Sequence, residues 1–250
     1  MESTQAILVD ITKCIGCQQC AIACKAAHNQ TGDPEPTLSS TAFTAVEPHG
    51  ERFVRRLCLH CEDPTCASVC PVGAIKKTAQ GPVRYDGSKC IGCRYCMIAC
   101  PYSVPKYQWS KLAPYVAKCD MCAERILRGD QPACTAACPT GASLFGNREQ
   151  LLLEAKKRIV ESSGAYVDRI YGEGELGGTS VFYISDVPFE KLGFIEPPAK
   201  QPLPTLSEAA LSEIPTVVMV GGSLLAGLYW ISERRKQVAQ AEQIENKERS

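Results

Sequence analysis

The chain has 250 residues, of which 45% are hydrophobic and 22% are charged, as in an ordinary folded globular protein. Its formal net charge is zero, which argues against the basic surface that proteins use to bind nucleic acid. Sixteen cysteines are the unusual feature, and all of them lie between Cys14 and Cys138. This clustering favours the binding of an inorganic group over a framework of disulfides.

The residues before Cys14 lack the features of a secretory signal peptide. They contain no basic start, no long apolar run, no A-x-A site and no twin-arginine motif. We therefore expect no targeting signal ahead of the first cysteine.

Four cysteine motifs occupy residues 1–145. The first and third follow the spacing C-x2-C-x2-C-x3-C, and the second and fourth have a longer middle gap. In chain order the motifs are Cys14, Cys17, Cys20 and Cys24; Cys58, Cys61, Cys66 and Cys70; Cys90, Cys93, Cys96 and Cys100; and Cys119, Cys122, Cys134 and Cys138. The first spacing is that of bacterial ferredoxins with two clusters, where the fourth cysteine of a motif binds the other cluster. Because no cysteine is left over, we expect four [4Fe–4S] clusters.

The motifs recur within longer repeats. Val9–Cys24 and Tyr85–Cys100 are identical at ten of sixteen aligned positions, and Cys70–Ala74 (CPVGA) matches Cys138–Ala142 (CPTGA). We therefore expect an α+β fold with a duplicated ferredoxin-like domain of the bacterial dicluster type. Glycines at positions 16 and 92 should let each loop turn sharply and direct its amides toward sulfur.

Other interpretations of the cysteines remain open. Structural zinc also uses C-x2-C pairs, although usually as two pairs with a longer spacer between them. A lysine precedes the first cysteine in three motifs, namely Lys13, Lys89 and Lys118. These lysines either raise the reduction potential of a nearby cluster or are solvated surface groups. His60 lies inside the second motif, where four thiolates are already available, so we expect it to pack or to orient ligands.

Residues 146–195 contain no cysteine and are expected to form a helix and strand extension that packs on the first domain. Arg148–Ser162 has apolar residues at helical spacing, with Leu152, Ala155, Ile159 and Val160 able to share a face. Thr179–Ile184 is rich in β-branched and aromatic residues and predicts a strand.

The C-terminal part predicts a membrane anchor. Residues 196–213 form a proline-rich linker, and residues 214–231 carry no charge. At 1.5 Å per residue a helix over these residues would span about 27 Å, close to the roughly 30 Å of a hydrocarbon core. A buried core helix is the alternative, but Pro215 and three glycines are better tolerated in a membrane.

Basic residues predict the orientation of this single transmembrane helix. Residues 232–250 contain five lysines and arginines, Arg234, Arg235, Lys236, Lys247 and Arg249, whereas Pro197–Glu213 contains only Lys200. The positive-inside rule then places residues 232–250 in the cytoplasm as a tail, and the cluster domain on the periplasmic face.

The sequence resembles a known family, the iron–sulfur subunits of molybdopterin oxidoreductases and membrane hydrogenases. The closest similarity is to the beta subunit of membrane-bound formate dehydrogenase and its hydrogenase counterpart. The segments that carry it are CIGCQQCAIACKAAHN, CLHCEDPTCASVCPVGAI, KCIGCRYCMIACPY, KCDMCAERI, CTAACPTGA and YGEGELGGTSVFYISDVPFEKLGF.

This resemblance implies how the cysteines are shared among the clusters, because the family pairs motif one with four and motif two with three. The implied sets are Cys14, Cys17, Cys20 and Cys138 for cluster one; Cys24, Cys119, Cys122 and Cys134 for cluster two; Cys58, Cys61, Cys66 and Cys100 for cluster three; and Cys70, Cys90, Cys93 and Cys96 for cluster four. Cluster one would then lie nearest the catalytic partner and cluster four nearest the membrane.

The resemblance also implies a non-catalytic electron-transfer subunit. Its expected partners are a large catalytic subunit of molybdopterin or NiFe type and a membrane cytochrome b or quinone-reactive subunit. Export bound to a partner with a twin-arginine signal would explain a periplasmic domain that has no signal of its own. The alternatives are a subunit of a DMSO, polysulfide or tetrathionate reductase and, from another class, a zinc-binding scaffold.

Overall fold

The computed structural model describes residues 4–109, 112, 115–162, 164–196 and 200–248. The strands are β1 (Gln5–Asp10), β2 (Thr44–His49), β3 (Arg52–Leu57), β4 (Ile75–Lys77), β5 (Val83–Tyr85), β6 (Lys106–Tyr107), β7 (Val116–Ala117), β8 (Ser143–Asn147) and β9 (Val181–Ile184). The helices are α1 (Gln19–Ala27), α2 (Thr65–Ser68), α3 (Tyr95–Ala99), α4 (Ala123–Leu127), α5 (Ala133–Ala136), α6 (Arg148–Glu161) and α7 (Leu203–Glu248). The expected mixture of helices and strands is confirmed.

A three-stranded sheet joins the start of the chain to the extension. β1 lies in the middle, antiparallel to β8 and parallel to β9. Because side chains alternate along a strand, Ile7 and Val9 face the cysteine-bearing part while Ala6 and Leu8 pack with α6. The sheet is therefore buried on both faces, and the extension packs on the cysteine-bearing part.

Three short hairpins separate the cysteine motifs. β2 pairs with β3, β4 with β5 and β6 with β7, all antiparallel. Each motif contains a short helix, and these helices pack across the repeat, so that α1 contacts α5 and α2 contacts α3. The fold therefore brings motif one to motif four and motif two to motif three.

The predicted helix of the extension is confirmed as α6, and one of its predicted core residues is wrong. Ala155 is buried, and Leu152 and Ile159 pack against the same cluster of apolar side chains. Val160 is 76% exposed, and Leu151 is buried on this face instead. A step of one residue rotates a side chain by about 100° around a helix, enough to turn Val160 to solvent.

The chain divides into two compact units, Met1–Pro204 and Thr205–Ser250. The second unit is formed by α7, which begins at Leu203 and continues past Ile231 to Glu248. One window of this helix is long and apolar enough to cross a membrane, and none of that window is buried. Such exposure does not fit a core helix. Pro197, Pro198 and Ala199 of the predicted linker and Arg249 of the tail lie outside the described residues.

Candidate metal centres

The four cysteine loops share one backbone feature. In each loop the residue two places after the first cysteine has a positive φ, namely Gly16 (70°), His60 (50°), Gly92 (72°) and Met121 (57°). This conformation turns the backbone so that its amide reaches the first sulfur: Gly92 N donates to Cys90 Sγ at 3.4 Å and Met121 N to Cys119 Sγ at 3.3 Å. The predicted role of the two glycines is confirmed, and the second and fourth loops reach the same turn without glycine.

The two glycine loops differ in how much space surrounds them. A Cβ at position 16 would lie 2.6 Å from the ring of Phe53, whereas one at position 92 would lie 3.2 Å from the Tyr107 hydroxyl. We expect Gly92→Ala to cost about 1–2 kcal/mol, because alanine is strained in the left-handed region. Gly16→Ala should cost about 1–3 kcal/mol more, because it also overpacks Phe53. Denaturant unfolding of both variants measures the difference, and equal losses would contradict it.

The sulfurs of motifs one and four lie together. Cys14, Cys17, Cys20 and Cys138 line one small cavity. The pKa of the Cys14 thiol is raised by burial and further by Cys138 and Cys17. These four are the cysteines of the set implied for cluster one.

The cysteines of the set implied for cluster two also influence one another. The pKa of Cys24 is raised by burial and then by Cys134 and Cys122. The pKa of Cys119 is raised well above its usual value, again by burial first and then by Cys24. Cys24 therefore lies among thiols of motif four, although it closes motif one.

Motifs two and three mix in the same way. Burial raises the pKa of Cys61, and Cys58, Cys100 and Cys66 raise it further. This group is the set implied for cluster three.

The last group brings Cys70 to motif three. Burial, followed by Cys90, Cys93 and Cys70, raises the pKa of Cys96 to about 11. Cys70, the fourth cysteine of motif two, therefore lies with motif three, and Cys100, the fourth cysteine of motif three, lies with motif two.

Neighbouring groups also influence one another. After burial, the pKa of Cys20 responds to Cys134 of the second group. Cys119 responds to Cys58 of the third group, and Cys66 to Cys96 of the fourth. These effects connect the first group with the second, the second with the third and the third with the fourth.

The matching CPVGA and CPTGA segments have the same electrostatic effect. Burial alone would raise the pKa of Cys70 and Cys138, yet backbone amides of the loop that follows each one lower it overall. Among these amides, Ala74 N donates to Cys70 Sγ at 3.2 Å. These amides stabilise a thiolate at the fourth cysteine.

The three lysines that precede motifs differ in their surroundings. The side chains of Lys13 and Lys89 are 45% and 56% exposed, so they are solvated surface groups. Lys118 is only 5% exposed, and its Nζ donates to the carbonyls of Val83 and Cys119. Of these three lysines, only Lys118 is buried.

His60 is fully buried and its ring is oriented by a backbone contact. Val83 N donates to His60 Nδ1 at 2.8 Å, so the neutral ring carries its proton on Nε2. Burial lowers the pKa of His60 well below its usual value. Nε2 has no protein partner among the described residues, so it is a donor suited to a sulfur or water acceptor. This agrees with a packing or orienting role.

His28 also lies near a sulfur. Its Nε2 is 3.5 Å from Asp120 and 3.9 Å from Cys122 Sγ, and these three donors lie close enough to hold a metal ion. Cys122 belongs to the set implied for cluster two, so His28 borders that site.

The sixteen sulfurs have the chemistry that iron–sulfur clusters need. None of the cysteines forms a disulfide. The buried thiols whose pKa is raised, such as Cys24 and Cys119, stay protonated until a cation replaces the protons. Four converging thiolates with amide donors would hold a [4Fe–4S] cluster, whose iron is ligated by cysteine sulfur.

Arg55 is a candidate functional residue that the sequence did not reveal. It is 2% exposed, and its Nη2 donates to Cys134 Sγ at 2.7 Å. The sequence FVRRLC places two arginines side by side before Cys58, with no signal to show that one of them is buried. Only the packing of β3 against the cysteine loops distinguishes Arg55 from Arg56.

Comparison with known proteins identifies the family of these sites. Residues 13–75 and residues 51–148 each match a family described as a 4Fe-4S dicluster domain. A protein of Nitratidesulfovibrio vulgaris (strain Hildenborough) is 38% identical, over 98% of this chain and 71% of that protein. Hydrogenase-2 operon protein HybA of Escherichia coli O157:H7 is 37% identical, over 74% of this chain and 71% of HybA.

A formate dehydrogenase subunit shows similar identity. The nitrate-inducible formate dehydrogenase iron-sulfur subunit of Escherichia coli K12 is 35% identical, over 72% of this chain and 67% of that subunit. The duplicated dicluster fold and the resemblance seen in the sequence are thus confirmed. The chain belongs to the family of 4Fe-4S iron–sulfur subunits of formate dehydrogenase and hydrogenase type.

Proposed function

We propose that this chain relays electrons, one at a time, through four [4Fe–4S] clusters between a catalytic subunit and a membrane subunit. The observation that carries the proposal is that cysteines of different motifs come together: Cys14, Cys17, Cys20 and Cys138 line one cavity, α1 contacts α5, and α2 contacts α3. A series of closely spaced redox centres lets electrons cross a protein that otherwise has no route for them.

The proposed ligands are the four sets that cross between motifs. Cluster one takes the first three cysteines of motif one with Cys138, and cluster two takes Cys24 with the first three of motif four. Cluster three takes the first three of motif two with Cys100, and cluster four takes Cys70 with the first three of motif three. The mutual pKa effects among these thiols and the contacts of α1 with α5 and of α2 with α3 support this assignment.

The chain itself is not the catalyst. Each proposed cluster has four thiolate ligands, so no iron keeps an open position for a substrate. The clusters supply one-electron redox chemistry, and the protein provides the ligands, the amide donors and a low-polarity surrounding.

Proposed partners follow from the relatives' names. Relatives are called formate dehydrogenase iron-sulfur subunits and a hydrogenase-2 operon protein. We infer a large catalytic subunit of molybdopterin or NiFe type near cluster one and a cytochrome b or quinone-reactive subunit near cluster four. The proposed series of four clusters has two ends, which suits two partners.

The apolar helix supports attachment to a membrane. Val217, Met219 and Trp230 are among its exposed apolar residues, and the Ser223 hydroxyl donates to Met219 O at 2.7 Å. That hydrogen bond satisfies the hydroxyl inside the helix, as a lipid environment requires. We infer that α7 anchors the chain, with the cysteine-bearing unit on the periplasmic side.

Metal analysis tests the proposal directly. The full chain purified without oxygen should contain about sixteen iron and about sixteen acid-labile sulfide, four of each for every cluster. Its reduced form should give low-temperature electron paramagnetic resonance (EPR) signals of interacting clusters. Stoichiometric zinc without sulfide would instead support a scaffold and overturn the relay.

A further inference from the structure

Arg55 is a buried cation without a carboxylate partner in the part of the chain that the structure describes. Its guanidinium donates to Ser143 Oγ at 2.8 Å, to Thr44 Oγ1 at 3.5 Å and to Cys134 Sγ at 2.7 Å. A charge removed from water is strongly destabilising unless an opposite charge compensates it. The site around Arg55 therefore requires negative charge from the sulfurs.

The thiols around Arg55 belong to two different groups. Burial lowers the guanidinium pKa, but Cys134 and Cys20 outweigh it, and the pKa lies above its usual value. In return, Arg55 opposes the effect of burial on the pKa of Cys14, Cys20 and Cys24. Arg55 also lines the cavity formed by Cys14, Cys17, Cys20 and Cys138, the first group, while its Nη2 contacts Cys134 of the second group. The guanidinium thus lies beside the proposed clusters one and two.

Lys118 occupies a comparable position at the third group. Its Nζ donates only to backbone carbonyls among the described contacts, at 2.8 Å for Cys119 O. Its other acceptor is the carbonyl of Val83, whose amide donates to His60 Nδ1 inside the second cysteine loop. Lys118 therefore lies beside the loop that supplies three ligands of the proposed cluster three, in agreement with its effect on the pKa of Cys66.

Another buried lysine shows what an ordinary buried cation needs. Lys25 is 6% exposed, and its Nζ lies 2.9 Å from Glu35 Oε1. Arg55 and Lys118 differ from Lys25 because neither has a carboxylate partner among the described residues: Arg55 contacts a sulfur and two hydroxyls, and Lys118 contacts two backbone carbonyls.

We propose that Arg55 is a fixed positive charge shared by clusters one and two that raises the reduction potential of both, and that Lys118 raises the potential of cluster three. The inference rests on the proposed relay and its ligand sets. Reduction adds one electron to a cluster while its four thiolates stay bound, so the site gains one negative charge and no bond changes. A nearby cation favours that more negative state.

Arg55 has a second consequence for its two neighbours. Clusters one and two are both anionic, so an electron on one disfavours an electron on the other. A guanidinium beside both offsets this repulsion by stabilising each reduced cluster, and it keeps its charge at every working pH. Both residues therefore act as positioning charges and do not take part in bond making.

A redox titration of the full chain in its complex tests the proposal. The variants are Arg55→Gln and Lys118→Gln, titrated with a chemical reductant of defined potential and followed by low-temperature EPR. Arg55→Gln should lower two midpoints, each by at least a tenfold loss in the one-electron reduction equilibrium, which equals 59 mV. Lys118→Gln should lower a different midpoint, and Arg55→Lys, which keeps the charge, should recover most of the loss.

Arg52→Gln is the matched control. Arg52 lies on the same strand as Arg55, but its side chain is 36% exposed and paired with Asp186. Its loss should leave all midpoints unchanged.

Iron content separates the outcomes. Unmoved midpoints in glutamine variants that keep their iron, or the same signals moved by both variants, would overturn the proposal. If Arg55→Gln loses iron, the other two variants decide. Wild-type midpoints in Arg55→Lys together with a lowered midpoint in Lys118→Gln would support the proposal. An unmoved midpoint in Lys118→Gln would overturn it. A wild-type chain without iron and sulfide would overturn the relay itself, which is a distinct result.

Discussion

Replacing Cys14 and Cys138 together with serine should remove one cluster, whereas replacing Cys14 and Cys24 together should remove two. The first pair belongs to different motifs but to one proposed cage, because Cys138 raises the pKa of Cys14. The second pair belongs to one motif but to two proposed cages, because Cys24 lies beside Cys134 and Cys122. Iron analysis should therefore give about twelve iron per chain for the first variant and about eight for the second, at four iron per cluster.

The opposite result would show that each motif encloses its own cluster. In that arrangement the Cys14 and Cys24 pair would cost four iron and the Cys14 and Cys138 pair would cost eight. Single Cys14→Ser provides the control, since it removes one cluster under either arrangement. Motifs two and three allow the same test. Replacing Cys90 and Cys70, which share the proposed cluster four, should remove one cluster, whereas replacing Cys90 and Cys100, which do not share a cluster, should remove two.

The sequence indicates which cysteines share a loop because ligand spacing is a local property, whereas the sharing of cysteines among clusters comes from the family resemblance and stays a prediction. C-x2-C-x2-C sets three sulfurs on one tight loop whatever the rest of the chain does. The turn itself was visible only at Gly16 and Gly92, since glycine signals a positive φ. His60 and Met121 adopt the same conformation without such a signal, because the surrounding structure imposes it.

Other features depend on contacts between distant parts of the chain. Gln5–Asp10 is a short apolar segment that periodicity cannot distinguish from a piece of helix, yet it is the central strand of the main sheet. The burial of Arg55 depends on Ser143, which lies 88 positions away. No sequence pattern carries that information.

The length of α7 illustrates a different limit. Hydropathy predicts the residues that suit lipid, here Ile214–Ile231, and helix formation is a separate property. Residues on both sides, such as Glu208, Ala210, Gln237 and Ala239, are good helix formers, so the helix continues in both directions. The predicted span therefore marks the residues that suit lipid, whereas the observed helix marks how far helical structure extends.

Protease added outside spheroplasts should degrade the cysteine-bearing unit and leave the C-terminal tail intact. Arg234, Arg235 and Lys236 follow the apolar segment directly, whereas Lys200 is the only basic residue in the flank that precedes it. Because basic flanks stay on the cytoplasmic side, the tail should be protected and the larger unit should be exposed. Immunoblots against a tag at each end measure the two fates separately, and a cytoplasmic marker protein controls for lysis.

Changing the three basic residues tests the cause of this orientation. The triple variant Arg234→Gln, Arg235→Gln and Lys236→Gln leaves the apolar segment unchanged but removes the nearest part of the charge bias. We expect a smaller fraction of chains with the protected tail, because positive charges close to the helix end contribute most to topology. Full protection of the cysteine-bearing unit in the unaltered chain would place that unit in the cytoplasm. Its electrons would then reach the membrane from the opposite side.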